Sequence, residues 1–144
     1  MKLSDNDKQI IEKLTCIVCP KSCIITVEKD KITGNIIAIH NAECKRGTEW
    51  VTQELLHPIR TVCSSVLVEN GTEPLTGVRT DHAIPKSEIF TVMEAIKNCQ
   101  ITAPVSIGET VIENPGGVPC RIIATRSVAA NNWEAGDRRQ KTER

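Results

Sequence analysis

Residues 15–23 read Thr15-Cys16-Ile17-Val18-Cys19-Pro20-Lys21-Ser22-Cys23, and this stretch decides how the first third of the chain folds. Two cysteines three apart can grip one metal centre from a single tight loop, and a third four positions later closes that loop around it. Pro20 punctuates the segment as a turn. A fourth cysteine, Cys44, comes after 20 intervening residues within Cys44-Lys45-Arg46-Gly47. Between them, Ile25-Thr26-Val27-Glu28 and Ile36-Ile37-Ala38-Ile39 flank the turn-forming pairs Asp30-Lys31 and Gly34-Asn35. They read as short strands of a small antiparallel unit, so the remote cysteine is stitched to the loop across a hairpin.

Working outward, Ile10, Ile11 and Leu14 alternate with charge over residues 5–14, with Ser4 or Asp5 as N-cap; this reads as a short amphipathic helix. A second helix is expected from Thr48 to Leu56, with Val51 and Leu55 at i, i+4, and His57-Pro58 stops it. Pro58 to about Arg60 reads as a seam. Beyond it, strands are expected over Thr61–Glu69, Leu75–Thr80, Val105–Ile112 and Arg121–Ser127. Pro85 suits the first turn of a helix running to about Asn98, whose Ile89, Val92, Met93 and Ile96 share one face. The tail from about Asn131 is polar and reads as disordered. The expected class is α+β: a small cysteine-rich antiparallel β unit (residues 1–57), then a larger α+β unit (58–130), then the tail (131–144).

Composition narrows the function. The 144 residues carry 18 Lys plus Arg against 18 Asp plus Glu, so the net charge is zero. Nucleic-acid and anionic-membrane partners want a basic footprint and are not expected. Trp50, Trp133 and Phe90 are the only aromatics, which argues against a base-stacking surface or a sugar cleft. The longest aliphatic run, Ile36 to Ile39, is far short of the ~20 residues that span a bilayer. The opening Met1-Lys2-Leu3-Ser4-Asp5-Asn6-Asp7-Lys8 has no apolar segment of a secretory signal. Seven cysteines, an odd number without such a signal, do not read as a disulfide framework. The expected compartment is the reducing cytoplasm.

Four thiolates from Cys16, Cys19, Cys23 and Cys44 suit either tetrahedral zinc or a [4Fe-4S] cubane. Structural zinc commonly uses two symmetric Cys-x2-Cys knuckles, whereas three clustered ligands plus one remote is the habit of cubanes; the asymmetry favours the cluster. A thiol–disulfide role for Cys16 and Cys19 wants a strand before and a helix after the motif, yet Cys23 and a strand-like segment follow. Buried thiols without a ligand are the bland alternative. Cys63, Cys99 and Cys120, scattered singly, read as packing thiols. His40 is a substitute ligand for a Cys3His zinc site or an ordinary turn histidine. His57 and His82 are the histidines available to any further site. Gly116-Gly117 after Pro115 reads as a turn. No acid–base pair, Ser/His/Asp constellation or dinucleotide fingerprint is visible.

Cys16-x2-Cys19-x3-Cys23, Ile25-x-Val27, Lys31-Ile32 and Cys44-Lys45-Arg46-Gly47 together resemble the N-terminal [4Fe-4S] module of molybdopterin oxidoreductases such as formate dehydrogenases, over roughly residues 14–50. The stretch before Cys44 is shorter than in those enzymes, and nothing of their pterin-binding domains fits in this chain. The whole chain also resembles a family of small bacterial proteins of unknown function described by CXXC-type cysteines. That resemblance rests on His57-Pro58-x-Arg60, Pro74-Leu75, Ile84-Pro85-Lys86, Ala103-Pro104-Val105, Ile107-Gly108-Glu109 and Ala124-Thr125-Arg126. Genes of that family commonly neighbour flavin-dependent glycerol-3-phosphate dehydrogenase-like proteins and FAD/NAD-dependent oxidoreductases. The expectation is an iron–sulfur electron-transfer or accessory subunit, itself non-catalytic, working with a flavoprotein oxidoreductase. The alternative is a zinc-stabilised interaction module.

Overall fold

The structure, a computed structural model, describes residues 9–131. Its elements are strands and helices in an α+β arrangement, forming two compact units, Met1–Ile59 and Arg60–Arg144. The boundary runs through the two-residue strand β4 (Ile59–Arg60).

The first unit is a three-stranded antiparallel sheet in the order β1 (Gln9–Thr15), β2 (Ile24–Asp30), β3 (Ile36–His40), followed by helix α1 (Lys45–Leu56). The β2–β3 turn is built by Asp30, whose Oδ1 accepts from the backbone N–H groups of Ile32 and Thr33, both at 2.8 Å. Its carbonyl accepts from Gly34, which takes the left-handed φ of 71° that glycine adopts without strain. Ile25 and Val27 alternate inward from β2 and meet Val51 of α1, all three fully buried.

The expected helix over residues 5–14 is overturned where the structure describes it: Gln9–Thr15 is strand β1, paired with β2 from Gln9↔Asp30 to Thr15↔Ile24. Residues 5–8 lie outside the described range. The stretch Ile10-Ile11-Glu12-Lys13-Leu14 satisfies helix and strand patterns alike. The edge of β2 settles the matter through a full antiparallel ladder and a cross-strand Lys29–Glu12 ion pair at 3.0 Å.

In the second unit a five-stranded sheet runs in the order β8-β5-β6-β10-β9. These strands are β5 (Cys63–Glu69), β6 (Leu75–Thr80), β8 (Gln100–Thr102), β9 (Thr110–Glu113) and β10 (Arg121–Ala124). The β5–β8 pair is parallel and the rest are antiparallel. Helix α2 (Ile89–Lys97) packs on β5, with Val92 and Ile96 buried one turn apart. Val66, Val78 and Ile122 supply the sheet's side of this core. Thr76 and Thr80, also buried, are satisfied: Thr76 Oγ1 donates to the Arg126 carbonyl at 2.9 Å, and Thr80 Oγ1 accepts from the Val62 N–H at 3.1 Å.

Several boundaries differ from expectation. Pro85 belongs to the two-residue strand β7 (Ile84–Pro85), and a 3-10 turn over Lys86–Glu88 separates it from α2. Strand β9 starts only at Thr110, Val105 instead making an isolated bridge to Val128. Strand β10 ends at Ala124, and β8 is not among the expected strands. The tail expected to be disordered lies outside the described residues beyond Asn131, whose N–H donates to the Asn70 carbonyl.

One polar cluster closes the β6–β10 end. The Asp81 N–H donates to the Arg121 carbonyl at 2.9 Å. In return the Asp81 carboxylate accepts from the Arg121 backbone N–H and from Nε, each at 3.0 Å. The backbone donor, then the guanidinium and His82, outweigh desolvation and hold the Asp81 carboxyl down to about 2, from an ordinary 3.8. A depressed carboxyl stabilises the fold fully above its unfolded value and loses that contribution as pH falls through the folded one. Acid unfolding of the native chain should therefore show a component between pH 4 and pH 2. Asp81→Asn should flatten that component in an acid titration followed by circular dichroism; an unchanged profile would contradict the assignment.

Candidate metal centre

The hairpin places the three clustered cysteines at one end of the first unit. Thr15 and Ile24 are the last pair of the β1–β2 ladder, so Cys16 to Cys23 form its connecting loop. The Cys16 N–H donates to the Cys23 carbonyl at 2.9 Å, and Ser22, in the left-handed region at φ 51°, turns back to the Cys19 carbonyl. The β2–β3 register then carries Cys44 to the same end. Because Thr26 is opposite His40, β3 finishes beside the start of β2, and Asn41 at φ 62° turns the chain into α1.

Cys44 is the N-cap residue of α1, extended at φ −151°, and its carbonyl accepts from Gly47 and Thr48. Two contacts tie this helix start to the loop. The Arg46 guanidinium donates to the Val18 carbonyl at 3.3 Å, and Lys21 pairs with Glu43. Gly47 is buried on the inner side of the first turn. A Cβ placed there would stand 3.5 Å from Ile25 Cδ1, 3.7 Å from Cys16 Sγ and 3.9 Å from Cys44 Sγ. Two of the four thiols thus border the space that the missing side chain leaves.

The start of α1 is electropositive. A helix N-terminus carries partial positive charge, the first turn of α1 has no acidic residue, and it holds Lys45 and Arg46. Lys45 leans towards Glu49 at 3.6 Å one turn on. Cys16 is 4 % exposed, Cys19 and Cys23 are half-buried and Cys44 is exposed, and all four are free thiols. Cys16 and Cys44 converge on one space; among the described residues, no group of three or more Cys, His, Asp or Glu side chains stands close enough to hold a metal ion. Four thiols from one loop and one helix cap are a donor set suited in chemistry to a thiolate-bound centre.

The other candidates stand elsewhere. His40 Nε2 is 3.0 Å from Glu28 Oε1 across the β2–β3 pair. His57 is the C-cap of α1. Cys63, Cys99 and Cys120 belong to the second unit, and burial pushes the thiols of Cys99 and Cys120 up, with the Asp81 charge adding to the effect on Cys120. Burial thus favours the neutral thiol at both, in keeping with a packing role. Gly47 is the site residue that sequence reasoning did not single out on its own. Its signal lay in the tetrapeptide Cys44-Lys45-Arg46-Gly47, where a glycine in the first helical turn carries a helix-propensity cost that a packing reason must offset.

A family model described as a protein of unknown function, DUF1667, matches residues 45–126. That span is more than half of the chain and begins one residue after Cys44, so the four cysteines precede it. No curated protein matches the sequence. Among solved structures, the NMR structure of the Clostridium perfringens protein CPE0013 is similar at 16 % identity and a TM-score of 0.47, over 54 % of this chain and 93 % of that one.

Proposed function

The chain belongs to the DUF1667 family of proteins of unknown function, and we propose that within it this protein is an iron–sulfur electron-transfer or accessory subunit. In this reading Cys16, Cys19, Cys23 and Cys44 hold one [4Fe-4S] cluster, and the partner is a flavin-dependent oxidoreductase of the glycerol-3-phosphate dehydrogenase-like or FAD/NAD-dependent kind, in the cytoplasm. The observation that carries it is the convergence of Cys16 Sγ and Cys44 Sγ on the space above Gly47, at the positive end of α1. When bound, such a cluster supplies one-electron chemistry at a potential tuned by charge, hydrogen bonds and exposure.

The chain's own residues do the rest. Arg46 fastens the cysteine loop to the helix start through Val18, so that loop and cap present their thiols together. Lys45 and Arg46 offset thiolate charge, and Ile25, Val27 and Val51 keep water from the inner side of Cys16. A fully thiolate-ligated centre has no open position for substrate, which makes the protein a non-catalytic partner in this scheme. The same four ligands would also serve a zinc-stabilised interaction module.

Anaerobic purification followed by iron, sulfide and zinc analysis separates the two. The cluster reading expects a brown protein with about four irons and matching sulfide per chain, reduced on mixing with a reduced flavoprotein partner. A colourless protein with one zinc and no iron overturns it. The isolated, cluster-loaded chain should not turn over glycerol 3-phosphate or NADH with an artificial acceptor.

A further inference from the structure

The second unit contains a cavity of about 250 Å³ beside the Asp81 cluster, lined by His82, Glu88, Ile84, Pro85, Val118 and the Gly116–Gly117 turn. We propose that it binds a small, flat, neutral ring compound bearing an acidic O–H or N–H hydrogen, a phenol or a ring imide, which it donates to His82.

The orientation of His82 is set from behind. Its Nδ1 is 2.8 Å from Asp81 Oδ1, and Asp81 is itself held by the backbone and side chain of Arg121. An ionised carboxylate at Nδ1 assigns the ring proton to that nitrogen, and in the neutral imidazole this leaves Nε2 as an acceptor. Asp81 is a positioning residue; His82 makes the contact. Glu88 is the second polar group of the lining, and it too only accepts when ionised. With the imidazole neutral, both ask for a ligand that donates.

The remaining walls decide what carries the donor. Ile84 and Val118 are buried aliphatics, and Pro85 and Pro119 add flat apolar faces. Gly117, left-handed at φ 85°, has nothing within 4 Å of where a Cβ would stand, so backbone borders open space. Gly116 stays close to α2 for a different reason: a Cβ there would lie 2.4 Å from Thr91 Cγ2, which keeps the turn tight against the helix. A cavity of this size takes a single ring and not a drug-sized ligand, for which pockets run upward from ~300 Å³. The carboxylates of Glu88 and Asp81 disfavour an anion, and the apolar walls penalise a bare cation. A neutral ring donor meets all of these conditions.

The test uses the full chain and does not depend on the cysteine centre, so its failure leaves the cluster reading untouched. Phenol and uracil are titrated separately at about pH 8, where both probes are neutral and an ordinary imidazole is too, and the ring signals of His82 are followed by NMR. At least one probe should shift those signals saturably in the millimolar range or below; the phenol arm reports O–H recognition and the uracil arm N–H recognition. Anisole, which lacks the acidic hydrogen, should bind at least tenfold more weakly than phenol. His82, with 57 % of its side chain exposed, tolerates replacement, and His82→Phe should cost roughly tenfold in affinity, about one hydrogen bond's worth. Glu88→Gln should admit benzoate, which the native chain should reject. Saturation by neither probe, equal binding of anisole, or preferential binding of benzylammonium overturns the proposal.

Discussion

If the chain holds the proposed cluster, alanine at any one of Cys16, Cys19, Cys23 or Cys44 should abolish metal uptake, from about four irons per reconstituted chain to essentially none. Alanine at Cys63, Cys99 or Cys120 should leave the metal content unchanged. The reason is the geometry of the first unit: loop and helix cap bring only the first four thiols to one end of the sheet. Because a metal site that is absent from the unfolded chain contributes its binding free energy to folding, the four variants should also lose several kcal/mol of stability relative to the loaded native chain. Measured without metal, Cys19→Ala should be nearly neutral, since Cys19 is only half-buried. Cys16→Ala should cost about 1 kcal/mol because Cys16 packs with Ile25, Val27 and Val51. Cys120→Ala should show a similar packing cost in the second unit. Iron and sulfide analysis with chemical denaturation of loaded and metal-free protein checks all of this. Loss of metal in Cys63→Ala would show the ligand assignment to be wrong.

Gly47 provides the second large effect, and one that separates packing from ligation. It sits within a helix, and an alanine Cβ would meet its neighbours at 3.5 to 3.9 Å, ordinary contact distances. Gly47→Ala should therefore stabilise the metal-free chain by about 0.5–1 kcal/mol through helix propensity. Gly47→Leu is different, because its outer carbons must enter the space that Cys16 Sγ and Cys44 Sγ border. Overpacking there should cost about 1–3 kcal/mol, and metal uptake should be lost. The expected order of metal uptake is Gly, then Ala, then Leu, while metal-free stability is highest for Ala. Uptake by Gly47→Leu equal to that of the native chain would mean that the space above Gly47 is not where the ligands meet.

Much of the fold is written locally. Asp30 and Gly34 carry their turn in their own chemistry, the Asx side chain accepting from Ile32 and Thr33 and glycine taking positive φ. Strand β6 spans Leu75–Thr80, as expected, because its inward and outward residues alternate cleanly. Helix α1 ends where His57-Pro58 requires, and it begins three residues earlier than expected because Cys44, not a residue nearer Thr48, is its cap. The grouping of Cys16, Cys19 and Cys23 is likewise local, being a matter of loop length.

Other features depend on partners far along the chain. Residues 9–15 hold no decisive period, and the open edge of β2 made them a strand. Strand β8 is three residues long, too short to show a pattern, and exists through its parallel ladder with β5. Asp81 and His82 look unremarkable until Arg121, 40 residues on, fixes the carboxylate that orients the imidazole. Gly47 acquires its meaning only when β1, β2 and α1 bring two sulfurs and Ile25 around it. The Asp30–Gly34 turn, the alternation of β6 and the end of α1 at His57-Pro58 are set locally, since each rests on residues within a few positions of one another. The tertiary structure alone decided the identity of β1 and β8, the space between Cys16 and Cys44, and the orientation of His82, since each rests on a hydrogen bond or contact that no short stretch of chain can make with itself.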